Sequence, residues 1–330
     1  MQTKFYDSEQ QLIVDLHDPS SRSKLAPVIV FVYNRSEKLK NCLDALAENY
    51  LSVETDLFII SDGPRPADVE KIEKIRMYLS GVSGFRSINV VARQKNLGAT
   101  KSIISAEQAI GELYGRHIAM EDDNIVSNNF LDFMNQALEY YKDESRVYSI
   151  CGYKQPFDMP KHYAGDIWFS PWHNPWAYAT WFDRVSLVNI EFNDFSRVFS
   201  SPAERKRLRN LGLFMFDSAW LDWKGFARAN DARICMHMFI RSMISVVPVE
   251  SLVFNDGHDG HGLHAKKTNR FKVEMSNGQQ RLFQFKNFES LNNEVVAAYK
   301  GFMDRGMFLK IFRFFGLNRL KYIVRALRMN

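Results

Sequence analysis

The chain has 330 residues, 46% of them hydrophobic and 14% aromatic, with 43 Lys and Arg against 38 Asp and Glu for a net charge of +5. That length suits one large α/β unit with an elaborated second half, and so mild a charge does not point to a nucleic-acid partner. Three scattered cysteines without metal-ligand spacing, no apolar signal core in MQTKFYDSEQ and no run of about 18 apolar residues lead to the expectation of a cytoplasmic protein with no spanning helix.

Residues 1–25 are polar, carry a DPSSRSK segment and read as an arm ahead of the fold. PVIVFVY (Pro27–Tyr33) is a continuous, β-branched apolar run, the pattern of a strand buried on both faces. Ser36 opens a helix to about Asn49, with Leu39, Cys42, Leu43 and Leu46 on one face. DLFIIS (Asp56–Ser61) is a second buried strand, closed by Asp62-Gly63-Pro64, and a helix follows over roughly Ala67–Leu79. SINVVA (Ser87–Ala92) makes a third strand, and a long helix runs from Gly98 to about Tyr114. The strand ending in Met120, a helix over Asn128–Lys142 and the strand RVYSICGY complete an alternation that predicts a parallel, Rossmann-like sheet flanked by helices. Past about residue 155 the alternation stops, and Trp168, Trp172, Trp176 and Trp181 crowd a Pro-punctuated stretch. The expected organisation is therefore an arm (1–25), a nucleotide-sugar-binding half (26–155), an acceptor-binding, catalytic half (156–300) and a C-terminal helical segment (301–330).

The chemistry concentrates at strand ends. In RHIAMEDDN the strand runs into Glu121, Asp122 and Asp123, placed at the carboxyl end where open α/β sheets hold ligands. Carboxylates so close repel unless a cation sits among them, and a divalent ion shared with a diphosphate is one answer. A solvated acidic turn, or Asp123 as a helix cap, is the other. The other strand ends bring Arg35, Asp62 and Asn96 to the same edge. Arg35 and Asp62 suit the two sides of a nucleobase, although an Asp before Gly-Pro is also an ordinary turn residue. Lys101, in the first turn of its helix, is placed to meet phosphate or to be a plain surface lysine. The sequence has neither GxGxxG nor a GxxxxGKS/T loop, so neither a dinucleotide enzyme nor a P-loop NTPase is supported.

Two further acidic centres follow. FDSAWLDW holds Asp217 and Asp222, the latter between Trp220 and Trp223, where partial desolvation makes a carboxylate a better base. NDGHDGHGLH gathers three histidines among glycines, of which His264 is the favoured ligand for a diphosphate or its metal.

Taken in order, these segments resemble a metal-dependent GT-A glycosyltransferase, of the inverting N-acetylglucosaminyltransferase I type and its bacterial family-2-like relatives. PVIVFVYNRSEKLKNCLDAL resembles that family's opening strand and helix, MEDD its metal motif, PWAYATW its acceptor segment and WLDW its base motif. The resemblance spans roughly Pro27–His264. It implies Asp123 on Mn²⁺ or Mg²⁺, Glu121 and Asp122 supporting the metal waters, ribose or donor sugar, Arg35 and Asp62 on uracil, and Asp222 as catalytic base. The implied reaction is inverting transfer from a UDP-sugar to an acceptor hydroxyl, with Trp176, Trp181 and Asp217 toward the acceptor, a glycan or lipid-linked glycan of bacterial surface polysaccharide assembly. In MFLKIFRFFGLNRLKYIVRALRMN apolar residues recur at helical spacing with Lys and Arg between them. That pattern fits either peripheral contact with an anionic membrane's inner face or a terminal helix packed on the domain. Competing readings are a nucleotidyltransferase, whose basic Gly-rich loop is replaced here by YNRSEKL, a metal-dependent phosphohydrolase using the histidine loop, and a non-catalytic sugar-binding scaffold.

Overall fold

The computed structural model describes residues 3–258, 268–304 and 316–320. Its first half alternates strand and helix: β1 (Lys4–Tyr6), α1 (Glu9–Asp15), β2 (Val28–Val32), α2 (Ser36–Ala47), β3 (Asp56–Ser61), α3 (Val69–Leu79), β4 (Ser87–Ala92), α4 (Ala99–Tyr114) and β5 (Arg116–Glu121). There follow β6 (Asn124–Val126), α5 (Phe130–Tyr140), β7 (Val147–Cys151), β8 (Ile167–Ser170), β9 (Tyr178–Trp181) and α6 (Phe182–Val185). The last described elements are α7 (Ser196–Ser200), α8 (Pro202–Leu211), α9 (Leu213–Trp223), α10 (Asn230–Arg241), β10 (Ile244–Pro248), β11 (Val253–Asn255) and α11 (Asn293–Met303).

Nine strands form one sheet in the order β1-β4-β3-β2-β5-β9-β7-β10-β8. The flank from β1 to β5 is wholly parallel. β9 then enters antiparallel between β5 and β7, and β10 runs parallel to β7. The carboxyl ends of β2, β3, β4, β5 and β7 therefore share one edge. The fold is the mixed α/β architecture with a mostly parallel central sheet that the strand-helix alternation predicts. Every residue of β3 is buried, and its four central side chains, Leu57–Ile60, each contribute roughly 1.5–3 kcal/mol through removal from water.

The lead-in differs from the expectation of a loose arm. β1 pairs in parallel with β4 as the edge strand, and Leu12 of α1 packs fully buried with Phe58, Ile60 and Ile110. The polar surface of this segment hides one apolar stripe, and that stripe covers a sheet face otherwise open to water. The boundary near residue 155 falls inside a continuous sheet, because β8, β9 and β10 extend the surface begun by β2–β5. All three cysteines are buried and unbridged. Among the described residues no helix is long and apolar enough to cross a membrane. Most of the basic C-terminal stretch lies outside the described residues.

Candidate active site

At the carboxyl edge of β5 the acids are already charge-balanced by the protein. Arg35, at the start of α2, forks across them: Nη2 and Nε engage Asp122, and Nη1 lies 2.8 Å from Asp123 Oδ2. Arg35 is thus the cation among the carboxylates, not a residue facing a nucleobase as expected from sequence. Asp123 Oδ1 accepts from the amides of Asn124 (3.0 Å) and Asn255 (3.1 Å). Asn255 is there because β11 pairs antiparallel with β6 and folds the later chain back over the acids. Asp256 N–H donates to the Asp123 carbonyl at 2.8 Å, and Lys38 Nζ is 2.7 Å from Asp256 Oδ2. Burial pushes Asp122 up to about 6 against the pull of Arg35. Glu121 is pushed up to about 8, first by burial and then by the fields of Asp123, Asp122 and Asp231.

Among the described residues no group of three His, Cys, Asp or Glu side chains converges on a metal position. The donor set is nonetheless hard oxygen, the chemistry of Mg²⁺ or Mn²⁺ held by one carboxylate with substrate phosphates and water. Asp123 is the residue that would hold such a cation, through the carboxylate that Arg35 now balances. Gly257 lies directly against that carboxylate: a Cβ on residue 257 would stand 2.2 Å from Asp123 Oδ2, so only glycine leaves the carboxylate clear.

The neighbouring loops are locked to one another. Asp62 accepts from the backbone N–H of Gly63 (3.0 Å), Leu97 (3.0 Å) and Gly98 (2.9 Å), and Asn96 Nδ2 donates to the Gly63 carbonyl (2.9 Å). The loops touch backbone to backbone, since a Cβ at Gly63 would fall 2.2 Å from the Lys95 carbonyl carbon. Asp62, expected to read uracil, instead has both oxygens engaged by backbone donors, and Asn96 likewise serves the loop. They shape the edge on which α4 begins, where Lys101 is exposed in the first turn.

Beside the acids lies a cavity of about 260 Å³ whose walls include Trp176, Phe214, Phe271, His173, Asn174 and Asp231. A short chain of contacts joins it to Asp123. Gly257 abuts the carboxylate, and the next residue, His258, packs against Trp176 (5.1 Å) and stacks on Phe271 (5.2 Å). Trp176 is followed by Ala177 with φ of 51°, a left-handed conformation uncommon outside glycine. That turn sets Trp176 at the carboxyl edge just before β9 begins. Asp231, exposed in the first turn of α10, stands on the cavity wall.

Three expected residues stand elsewhere. Asp222 is 1% exposed and paired side-on with Arg233, at 2.5 Å to Nε and 2.7 Å to Nη2. It does not line the cavity, so the base assignment is corrected: Asp222 is the partner of a buried guanidinium that also holds the Ile190 carbonyl at 2.7 Å. The flanking indoles are packing surfaces, Trp223 stacked on Phe199 and Trp220 under Arg319. Asp217 is buried and does not line the cavity, accepting from Arg319 at 2.8 and 2.9 Å. Trp181 is buried at the far end of β9, opposite Arg116 at the amino end of β5, with Arg184 over its ring at 4.1 Å. It therefore cannot offer a face to an acceptor at the carboxyl edge. His264 lies outside the described residues.

The residues missed in the sequence are Asp231, Asn255, Gly257 and His173. Asp231 sits in NDAR ahead of an apolar helical repeat, where a helix-start acid is the ordinary reading. Only the fold brings it beside the acids of β5.

Against known proteins, no family model and no curated protein matches. Among solved structures the chain is similar to S. aureus TarS, with 12% identity and a TM-score of 0.37 over 71% of this chain and 37% of that one. It is similar to residues 1–349 of S. aureus TarS in complex with UDP-GlcNAc, with 13% identity and a TM-score of 0.36 over 69% of this chain and 56% of that one. The mannosyltransferase PcManGT from Pyrobaculum calidifontis, in complex with GDP-Man and Mn²⁺, gives 11% identity and a TM-score of 0.33 over 52% of this chain and 51% of that one. The chain thus matches between about a third and three fifths of the length of these structures. Likeness at this level assigns no residue a role.

Proposed function

We propose that the chain is an inverting glycosyltransferase that moves a sugar from a UDP-sugar to an acceptor hydroxyl. The observation that carries this reading is the adjacency, on one sheet edge, of an arginine-balanced acid cluster and an aromatic cavity with a carboxylate on its wall. The donor's diphosphate belongs over the ends of β2 and β5, near the N-terminus of α4, whose unpaired N–H groups and Lys101 favour anionic groups. A divalent cation, Mn²⁺ or Mg²⁺, held by Asp123 would supply Lewis-acid stabilisation of the leaving diphosphate. Arg35 keeps the carboxylates of Asp122 and Asp123 in place. Asp231, the acid on the cavity wall, accepts the proton of the attacking hydroxyl. The new bond forms at the anomeric carbon from the face opposite the phosphate, the bond to the phosphate oxygen breaks, and the nucleoside diphosphate leaves with inversion.

The uridine base, a glycan or lipid-linked glycan acceptor, a role in bacterial surface polysaccharide assembly, and attachment to an anionic membrane through the basic C-terminal stretch belong to the same proposal. They rest on the sequence pattern. The test is thermal stabilisation of the protein by a panel of nucleotides with and without Mn²⁺. The expected result is a shift with UDP that needs the cation and is lost in Asp123→Ala. A protein that no uridine nucleotide stabilises is not a UDP-sugar transferase.

A further inference from the structure

Helix α8 gathers positive charge on the surface. Ser201 caps it, accepting from Glu204 N–H at 3.3 Å, with Pro202 in the first turn, and PAERKRLRNL carries four cations and one acid. That acid, Glu204, pairs with Arg207 at 2.9 Å. Arg205 and Arg209, one turn apart, and the exposed Lys206 line a depression of about 330 Å³ together with Pro202 and Asn210. Its described walls hold three cations and no acid. Like charges four residues apart weaken a helix, so this spacing works against the element that carries it.

The ring of Phe216 on α9 brings a further cation to the same place. Arg209 lies over it at 4.4 Å and Arg319 at 5.2 Å. Burial, and then the positive fields of Arg319 and Arg205, hold the Arg209 guanidinium below its ordinary value, with Asp217 opposing. Asp217 is the counter-charge of Arg319, at 2.8 Å. Leu317 and Leu320, to either side of Arg319 in sequence, are 44% and 54% exposed. Cations beside exposed apolar side chains are the composition of an interfacial surface. The rest of the chain holds little to neutralise it. The residues outside the described set contain one acid, Asp259, and residues 305–330 contain none against seven Lys and Arg. Any cover from the C-terminal stretch therefore adds positive charge to this face.

We propose that the α8 face, with Arg205 and Lys206 at its centre and Leu317 and Leu320 beside it, docks the protein on an anionic phospholipid surface. Lipid phosphates meet the cations of the depression, and the bilayer takes up the leucines. A soluble polyanion would use the cations and gain nothing from the leucines, and that difference selects the bilayer. The contact is made by the folded domain. It adds to the membrane attachment proposed for the C-terminal stretch without depending on it, and it does not rest on the transferase reading. Helix α9 carries both Phe216 under these cations and the cavity residues Phe214, Met215 and Ser218, so a surface docked on α8 stands one helix away from the cavity.

The experiment is co-sedimentation of the full chain with vesicles of phosphatidylcholine alone and of phosphatidylcholine mixed with phosphatidylglycerol, at low and high salt. Binding is expected to the mixed vesicles only, and to weaken as salt rises. Lys206→Glu should weaken it roughly twenty-fold, about five-fold for the cation lost and as much for the anion gained. Lys206→Arg should bind like the parent, and UDP stabilisation should be unchanged in both. Should Lys206→Glu fail to fold, Asn210→Glu replaces it at another exposed position of the same depression, with the same direction expected. A second variant, Lys321→Gln with Arg325→Gln and Arg328→Gln, reads the C-terminal stretch separately. Binding lost in that variant and untouched by Lys206→Glu would overturn the α8 face and leave the C-terminal attachment standing. Binding lost in Lys206→Glu and untouched in that variant would sustain the α8 face and overturn the C-terminal attachment. Equal binding to neutral vesicles, or Lys206-dependent binding of soluble polyphosphate without binding to mixed vesicles, would overturn the proposal. Binding to neither vesicle would overturn both attachments, and the response to UDP still decides the transferase reading.

Discussion

The two sides of the cleft handle charge in opposite ways. On the β5 side, carboxylates are drawn together and held by Arg35, with Lys38 close by on Asp256. On the cavity side the only charged lining group among the described residues is Asp231. The first arrangement suits a ligand that brings both anionic phosphate and its cation; the second offers aromatic surface beside one acid. The same contrast separates Asp222 from Asp231. Both lie near the α9–α10 turn, but Asp222 is buried against Arg233, whereas Asp231 is exposed on the cavity wall. A carboxylate clamped by a guanidinium inside the protein is out of a substrate's reach, and one exposed on a cavity wall is within it.

Substitutions can break this contrast, and the largest stability effect belongs to the clamp. Asp222→Ala leaves Arg233 buried without its counter-charge, and chemical denaturation should show a loss of about 3–5 kcal/mol. If the variant melts like the parent, the pairing does not hold the 190s segment and Asp222 is free for other work. Gly63→Ala forces a Cβ to within 2.2 Å of the Lys95 carbonyl carbon. The loops must part, at about 1–3 kcal/mol, and UDP affinity should fall because the α4 start moves with them; calorimetry reads both. The smallest effect belongs to the cavity wall. Burial holds His173 down to about 3, below the ordinary imidazole value of about 6.5. The unfolded chain takes up that proton first on acidification, so the stabilisation is present above about pH 6.5 and is lost as pH falls toward 3. Between pH 7.5 and pH 5 the parent should lose roughly 1–2 kcal/mol more than His173→Gln, measured as the difference between their melting curves.

Much of the first half was legible because its signals are local. β2, β3, β4 and β5 are unbroken apolar runs with β-branched residues, and the helices between them carry apolar faces at helical spacing, so strand, helix and edge follow from neighbours in sequence. Arg35, Asp62 and Glu121–Asp123 were found for the same reason, as polar groups at strand ends. Their partners were not legible. Nothing in YNRSEK shows that Arg35 reaches residues 87 positions away, or that Asp62 faces the backbone of 97 and 98. WLDW misled because indoles beside an aspartate look alike whether they desolvate a base or pack around an ion pair; Arg233 decides between them. Trp176 and Trp181 were indistinguishable in PWAYATW, although the four-residue strand between them sends one to each edge of the sheet. Residues 4–16 looked polar because their apolar stripe is only Tyr6, Leu12 and Leu16.

The most direct measurement of the central claim is nucleoside diphosphate release from UDP-sugars, with and without a neutral glycoside acceptor, for the parent, Asp231→Asn and Asp222→Asn. The account predicts acceptor-dependent release that falls about 10²–10⁴-fold in Asp231→Asn while UDP still stabilises that variant. It predicts that any activity lost in Asp222→Asn tracks its lower melting temperature. Release that persists undiminished in Asp231→Asn, or that vanishes in an Asp222→Asn protein of normal stability, would contradict it.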